Sequence, residues 1–241
     1  LSGTANIVNL KISGSQGSDG QLLTSTGSGI AWEDAPAGGP TFKTFGTDSI
    51  MIGDDATGTI NAADNNVGLG VDVFAALTSG DYNVAVGTSS LFVNTTGSNN
   101  TAVGRNALVA NTTGSANIAI GSLALGANTE ASNNIAVGKD ALGATTTGAG
   151  NTAVGSAALY LNTTASNNTA VGLLALAANT TASYNTAVGA SALAANTTGT
   201  NNQAYGQQAL DQVTNGSQNI GIGNGTGSYL VNLTTGSGNI L

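Results

Sequence analysis

The pentapeptide Asn100-Thr101-Ala102-Val103-Gly104 recurs 17 residues later as Asn117-Ile118-Ala119-Ile120-Gly121, and again as Asn134-Ile135-Ala136-Val137-Gly138. The same phase extends back to Ser49 and forward to Asn219, which gives eleven copies without an insertion. A fixed period of this kind is typical of repeat proteins, in which each unit stacks on its neighbours. The repeat therefore decides the fold.

Each unit has the same plan, which we number from its first residue, so that Asn100 is position 1 and Gly104 is position 5. Two variable residues, an Ala-Leu pair and two more residues follow, and then a turn such as Asn111-Thr112-Thr113-Gly114. In an extended segment the side chains at positions 2 and 4 point one way, and those at positions 1, 3 and 5 the other. One such strand buries about three side chains, too few to offset the entropy of ordering its unit, so the units must stack.

We therefore predict a mainly β fold, a parallel β-solenoid or β-roll of about eleven coils, spaced about 4.8 Å apart and roughly 50 Å long. The Ala-Leu segment is compatible with either a single helical turn or a second short strand, because short runs cannot be assigned by periodicity. Two apolar columns are expected to form the core of the repeat. They are Val86, Val103, Ile120, Val137, Val154, Val171 and Val188 in the strands, and Leu108, Leu125, Leu142, Leu159, Leu176 and Leu193 in the Ala-Leu segments.

Asparagine recurs twice in each unit, as in Asn100 and Asn111. We expect these side chains to form hydrogen-bonded ladders along the stack or to satisfy turn backbone groups. The alternative is a repeated polar surface for sugars. Triplets such as Asn94-Thr95-Thr96 match the N-glycosylation pattern, but the repeat itself generates them.

The chain divides into three parts. Residues 1–48 contain both prolines and the single Trp, and predict a small β connector or attachment module, with strands at Leu10-Lys11-Ile12 and Ile30-Ala31-Trp32 and a linker at 35–40. Residues 49–225 form the solenoid. Residues 226–241 form an irregular last repeat, because Asn239 follows Asn219 after 20 residues instead of 17.

Composition excludes several classes of function. The 241 residues include no His and no Cys, which removes imidazole bases, thiolate nucleophiles and nearly every zinc, haem or iron–sulfur site. Four Lys and Arg against 12 Asp and Glu argue against nucleic-acid binding. No apolar stretch approaches the roughly 20 residues that span a bilayer. We expect no cofactor, no metal and no membrane insertion.

Individual candidate residues favour structural roles. Asp54 and Asp55 with Asp64 could suggest a calcium site, yet the EF-hand spacing is absent and Gly53–Gly58 is good turn sequence. Glu33, Asp34, Arg105 and Lys139 are interpreted as solvated surface charges. The tyrosines Tyr160, Tyr184, Tyr205 and Tyr229 could stack on sugars, but we expect them to pack over coil edges.

The pentapeptide units resemble the S-V-A-I-G repeats of trimeric autotransporter adhesin heads, the YadA-like parallel β-roll. The longer form G-x-x-A-L-x-x-N-T-T-G-x-x-N-T-A-V-G resembles repeats in tail fibres of tailed phages, particularly those of cyanobacteria and other marine bacteria. Gly17–Thr24 and Ser28–Trp32 are similar to a segment common in such fibres. The repeat is longer than that of the adhesins and no C-terminal membrane anchor follows, which favours the phage fibre.

The resemblance implies a homotrimer of parallel chains in a virion, acting as a spacer and as a host-attachment element. Its partners would be other tail or baseplate proteins and a host-cell receptor, for which polysaccharide is one class. The alternative is a bacterial surface adhesin or extracellular filament subunit. A polysaccharide-degrading tailspike is less favoured, because after Asp81 the solenoid offers only Glu130, Asp140 and Asp211 as acids. We therefore expect no enzymatic activity.

Overall fold

The computed structural model describes residues 21–25, 30–34, 41–43, 50–53, 63–227 and 235–241. The chain forms two compact units, Leu1–Phe42 and Lys43–Leu241. In the first, β1 (Gln21–Ser25) and β2 (Ile30–Asp34) pair in an antiparallel manner with Leu23 opposite Trp32. The strand expected at Ile30 is thereby confirmed. The strand expected at Leu10 and the linker at 35–40 lie outside the described residues.

The other strands form one twelve-stranded sheet in chain order, and each pair from β4 to β14 is parallel and offset by one repeat, as Ala136 opposite Ala153 shows. The predicted parallel β-solenoid is confirmed, with about nine turns. Ile50–Gly53 of the first predicted copy pairs with the second, but residues 54–62 between them lie outside the described part. The strands are β3 (Thr41–Lys43), β4 (Ile50–Gly53), β5 (Val67–Gly70), β6 (Val84–Val86), β7 (Thr101–Val103), β8 (Ile118–Ile120), β9 (Ile135–Val137), β10 (Thr152–Val154), β11 (Thr169–Val171), β12 (Thr186–Val188), β13 (Gln203–Tyr205) and β14 (Ile220–Ile222).

The strand side chains alternate as predicted, but the side that faces inward is the opposite one. Ala153 at position 3 is fully buried, whereas Val154 at position 4 is 37% exposed. Placing the strand column in the core was therefore wrong, because position 4 faces outward in every coil. The side chains concerned, all half-buried or exposed, are Val86, Val103, Ile120, Val137, Val154, Val171 and Val188.

The leucine column is in the core, as predicted. Leu108, Leu125, Leu142, Leu159, Leu176 and Leu193 are fully buried, together with the alanine before each of them. A coil of 17 residues has room for one column of large aliphatic side chains. The leucines fill it, and the strands from β5 to β14 carry only alanine or glycine opposite them, as Gly221 beside Leu210 shows.

The Ala-Leu segment is neither a helical turn nor a strand. Asn106 and Leu108 both have positive φ, at 59° and 51°, and the chain makes two tight turns there. The backbone N–H of Ala107 donates to Gly104 O at 3.3 Å, and that of Leu108 donates to Ala124 O in the next coil at 3.0 Å. Among the residues that the structure describes there is no helix, and so none that could cross a bilayer.

Glycine at position 5 is fixed by the backbone. Gly104 has φ +135°, a conformation that side-chain-bearing residues rarely adopt, and a Cβ there would lie 2.6 Å from Gly121 O in the next coil. The same geometry recurs along the stack, so this glycine ends each strand and permits the close approach of successive coils.

Candidate functional surfaces

The asparagines at position 1 form a buried ladder, which we call the strand ladder. Asn83 Oδ1 accepts the backbone N–H of Asn100 at 2.9 Å and its side-chain Nδ2 at 3.1 Å. Asn100 Nδ2 also donates to Gly114 O, 14 residues later in the same coil, at 2.9 Å. The ladder continues to Asn239, whose backbone N–H donates to Asn219 Oδ1 at 3.1 Å, so the phase resumes after the longer last repeat. The ladders expected from the sequence are confirmed here.

The asparagines at position 12 form a second buried ladder, the turn ladder. Asn111 Nδ2 donates to Asn94 Oδ1 at 2.8 Å and to Gly114 O at 2.9 Å, so this carbonyl accepts one amide from each ladder. Five of these asparagines begin glycosylation-like triplets. Because their side chains are fully buried, the folded chain cannot present them for modification. They are Asn94, Asn111, Asn162, Asn179 and Asn196.

Two substitutions interrupt the turn ladder. Thr145 replaces asparagine in one coil, and its hydroxyl donates to Asn162 O at 3.2 Å and accepts Asn162 Nδ2 at 3.3 Å. Val213 replaces it near the end of the stack and is buried. The preceding members, Asn128 and Asn196, each keep a buried Oδ1 without a hydrogen-bond partner. Each orphaned atom thus lies next to a residue that brings no amide donor.

The outward side of the strands, positions 2 and 4, is a surface that we call the outer strand face. Position 4 is apolar in every strand from β5 to β14, whereas position 2 is mixed and also holds Thr101, Thr152, Thr169, Thr186 and Gln203. In-register pairing places each position-4 side chain beside its equivalents in the neighbouring coils, as for Val154 between Val137 and Val171. Several large side chains of this face are more than a third exposed. They are Val67, Leu69, Ile118, Ile120, Ile135, Val154, Val188, Tyr205 and Ile222.

The segment from position 13 to position 17 forms a polar face. Inside it, Thr112 Oγ1 donates to Thr129 O at 3.0 Å, and the backbone N–H of Ser115 donates to Ser132 Oγ at 3.0 Å. Positions 14 and 17 project outward. Position 14 holds Ser79, Thr96, Thr113, Glu130, Thr147, Thr164, Thr181, Thr198 and Asn215, and position 17 holds Tyr82, Asn99, Ala116, Asn133, Gly150, Asn167, Tyr184, Asn201 and Gln218.

The acidic residues of the solenoid are dispersed. Asp81 Oδ1 accepts the backbone N–H of Asp64 at 2.8 Å, the part that serine plays at this position in later coils. Glu130, Asp140 and Asp211 belong to three coils and to positions 14, 7 and 10. Within the described residues, no three acidic side chains come together as a metal site would require.

The remaining charged residues do not form a site within the described part of the chain. Arg105 is exposed. Lys139 Nζ lies 3.4 Å from the carboxylate of its neighbour Asp140; the lysine is exposed and the aspartate half-buried, and ion pairs at the surface contribute little stability. Glu33 and Asp34 belong to β2, and Asp54 and Asp55 lie outside the described residues.

The tyrosines divide into three environments. A Cβ on Gly143 would lie 3.2 Å from Tyr160 Cδ2, so the Tyr160 ring packs over the preceding coil, as predicted. Tyr205 belongs to the outer strand face. Tyr184 is 62% exposed on the polar face, and the prediction that it packs over a coil edge was wrong. Tyr229 lies outside the described residues.

No protein-family model, curated protein or solved structure matches this chain.

Proposed function

We propose that the protein is a structural, non-enzymatic fibre of a tailed phage, built from three parallel copies of this chain, which acts as a spacer and a host-attachment element in the virion. The solenoid suits a stiff spacer, because successive coils bond to one another through their strands, their turns, the strand ladder and the two runs of the turn ladder. The phage assignment rests on the resemblance of the repeat and of Gly17–Trp32.

The observation that carries the proposal is the outer strand face. Monomeric proteins rarely leave open an apolar patch beyond about 300–600 Å². Here half-exposed aliphatic side chains follow one another along the stack from Val67 to Ile222. Burying this face against copies of itself would remove it from water. Parallel chains in equal register would place like coils side by side, as closed rotational symmetry requires.

The polar face and residues 1–48 are left for contacts with a host receptor and with other virion proteins. The polar face stays hydrated and available to a host receptor, and residues 1–48 would attach the fibre to other tail or baseplate proteins. The dispersed acids Glu130, Asp140 and Asp211 suggest no acid pair for glycoside cleavage, which normally needs two carboxyl groups within about 5–10 Å across the scissile bond.

Light scattering after size exclusion tests the proposal. We expect a mass three times that of the 23.2 kDa chain. The double variant Val154→Asp, Val188→Asp places charges on the outer strand face without touching the buried core, and it should give a folded single chain by circular dichroism. A matched variant on the polar face, Thr164→Asp with Thr198→Asp, should remain trimeric. A wild-type monomer, or a trimer that survives the valine changes, would overturn the assignment of this face.

A further inference from the structure

Tyr184 occupies a costly position. Its backbone has φ +63°, which bulky residues adopt rarely, and the residue is 62% exposed. The leucines at position 9, such as Leu176, also have positive φ, but they are fully buried and gain packing that offsets the strained backbone. Leu174, at position 7, has φ 58° and is 42% exposed. Tyr184 gains little of that compensation. Strain that packing does not offset is typical of functional sites.

The neighbouring coils show what this position holds when no ring is present. Asn167 and Asn201 occupy it one coil before and one coil after, and asparagine tolerates positive φ better than tyrosine. The backbone N–H groups continue from coil to coil, since Tyr184 donates to Ser166 O and Asn201 donates to Ser183 O, each at 3.4 Å. The tyrosine therefore adds an aromatic ring to a backbone that does not need it.

The surroundings of Tyr184 are polar and uncharged. No charged residue occurs between Asp140 and Asp211, which covers four coils. Asn167 and Asn201 hold the same position in the two adjacent coils, Thr181 lies three residues before Tyr184, and all three are exposed on the polar face. Carboxamides and hydroxyls supply both donors and acceptors. A ligand bound here would meet an aromatic plane and hydrogen-bonding groups, and no ionic partner.

We propose that Tyr184, with Asn167, Asn201 and Thr181, forms a subsite for a neutral hexose unit of a cell-surface glycan. The ring covers the apolar C–H face of the sugar, and the amides and hydroxyls bond to the sugar hydroxyls. The absence of charge disfavours sialic or uronic acids, whose carboxylates would lose hydration without gaining a cation. This subsite rests on the proposed function, because it names the ligand class that the attachment element would bind.

Tyr82 has the same place six coils earlier and is 60% exposed. Its surroundings differ, since Asp81 precedes it and its backbone N–H donates to Asp64 O at 3.1 Å. The neutral subsite is therefore assigned to Tyr184 alone.

The test uses the full chain and four neutral hexasaccharides, of glucose in α- and β-linkage, mannose and galactose, with hexagalacturonate as the acidic comparison, by isothermal titration calorimetry. Tyr184→Asn installs the residue of the adjacent coils and should stay folded. We expect at least one neutral hexasaccharide to bind, roughly tenfold more weakly to Tyr184→Asn, because the aromatic contact is lost. Tyr184→Phe keeps the ring and should retain most of the affinity, and Tyr160→Ala, on another side of the coil, should change nothing.

The proposal is overturned if no neutral hexasaccharide binds, if Tyr184→Asn binds as tightly as the wild type, or if hexagalacturonate binds best. Its failure can be told apart from that of the fibre. A trimer that shows no Tyr184-dependent binding would support the fibre proposal and contradict the subsite proposal. A monomer that shows Tyr184-dependent binding would support the subsite proposal and contradict the trimeric fibre.

Discussion

Thr145 lies one coil after Asn128 in the turn ladder and leaves Asn128 Oδ1 buried without a hydrogen-bond partner. In intact parts of the ladder this oxygen accepts the amide of the next coil, as Asn111 Oδ1 does from Asn128 Nδ2 at 2.7 Å. Threonine cannot repeat that bond, because its one hydroxyl proton goes to Asn162 O. The ladder is thus divided into two runs of three asparagines.

Thr145→Asn should join the two runs. The new amide would donate to Asn128 Oδ1 and to Gly148 O, and its oxygen would accept Asn162 Nδ2. Satisfying a buried orphan acceptor contributes about 1–3 kcal/mol, so we expect the free energy of unfolding to rise by about 1–2 kcal/mol after the threonine bonds are lost. Urea denaturation measures this, with exposed Thr147→Asn as the control. A lower stability for Thr145→Asn would contradict the ladder as the explanation of the orphaned oxygen.

The strand ladder gives a sharper contrast between two adjacent residues. Asn134 is buried, donates to Gly148 O at 2.9 Å and accepts from Asn151 N at 2.9 Å and Asn151 Nδ2 at 3.2 Å. Asn134→Ala should lower the free energy of unfolding by about 2–4 kcal/mol, because it leaves buried groups unpaired. Asn133→Ala is the control, since Ala116 holds the same exposed position with φ 56°. Thermal unfolding of the two variants should differ clearly, and equal melting temperatures would count against a structural ladder.

Glycine at position 5 and glycine at position 15 should respond differently to a methyl group. Gly104→Ala meets both φ +135° and the Gly121 carbonyl at 2.6 Å, and should cost at least about 3 kcal/mol or prevent folding. A Cβ on Gly114 would also contact the carbonyl of the next coil, Ala131 O, but Gly114 lacks the positive φ, and Ala131, Ala165 and Ala182 hold the same position in other coils. We therefore expect Gly114→Ala to cost less. Urea denaturation or soluble yield measures the difference. A Gly104→Ala variant as stable as Gly114→Ala would show that the positive φ at position 5 does not require glycine.

The repeat and its register were predictable because a stacked coil must place like residues beside like. Which strand side faces inward was not, because alternation sorts residues into two sets without saying which set is buried. Valine is usually the buried one. Here Asn100 faces inward because its amide satisfies Gly114 O and its oxygen accepts the backbone N–H of Asn117, which no aliphatic residue could do. Alternation then turns Val103 outward.

The backbone conformation of the Ala-Leu segment could not be predicted for a different reason. Leucine at φ 51° contradicts its intrinsic preferences, and packing of Leu108 in the core overrides them. The orientation of Tyr184 could not be foreseen either, since nothing in the chain around it distinguishes an exposed ring from one that covers a neighbouring coil.

The reversal of the strand can be tested within one coil. Leu159 is fully buried and Val154 is 37% exposed, five residues apart. Leu159→Ala removes core contacts and leaves a cavity, so we expect it to lower the free energy of unfolding by about 2–5 kcal/mol. Val154→Ala removes outward methyl groups, and should cost the fold of a single chain less than about 1 kcal/mol while it weakens any association through the outer strand face. Both folding costs are measured by urea denaturation of chains that also carry Val188→Asp, once light scattering has shown these chains to be single, which separates the fold from assembly. Equal losses of unfolding free energy at the two positions would indicate that the position-4 valines belong to the core.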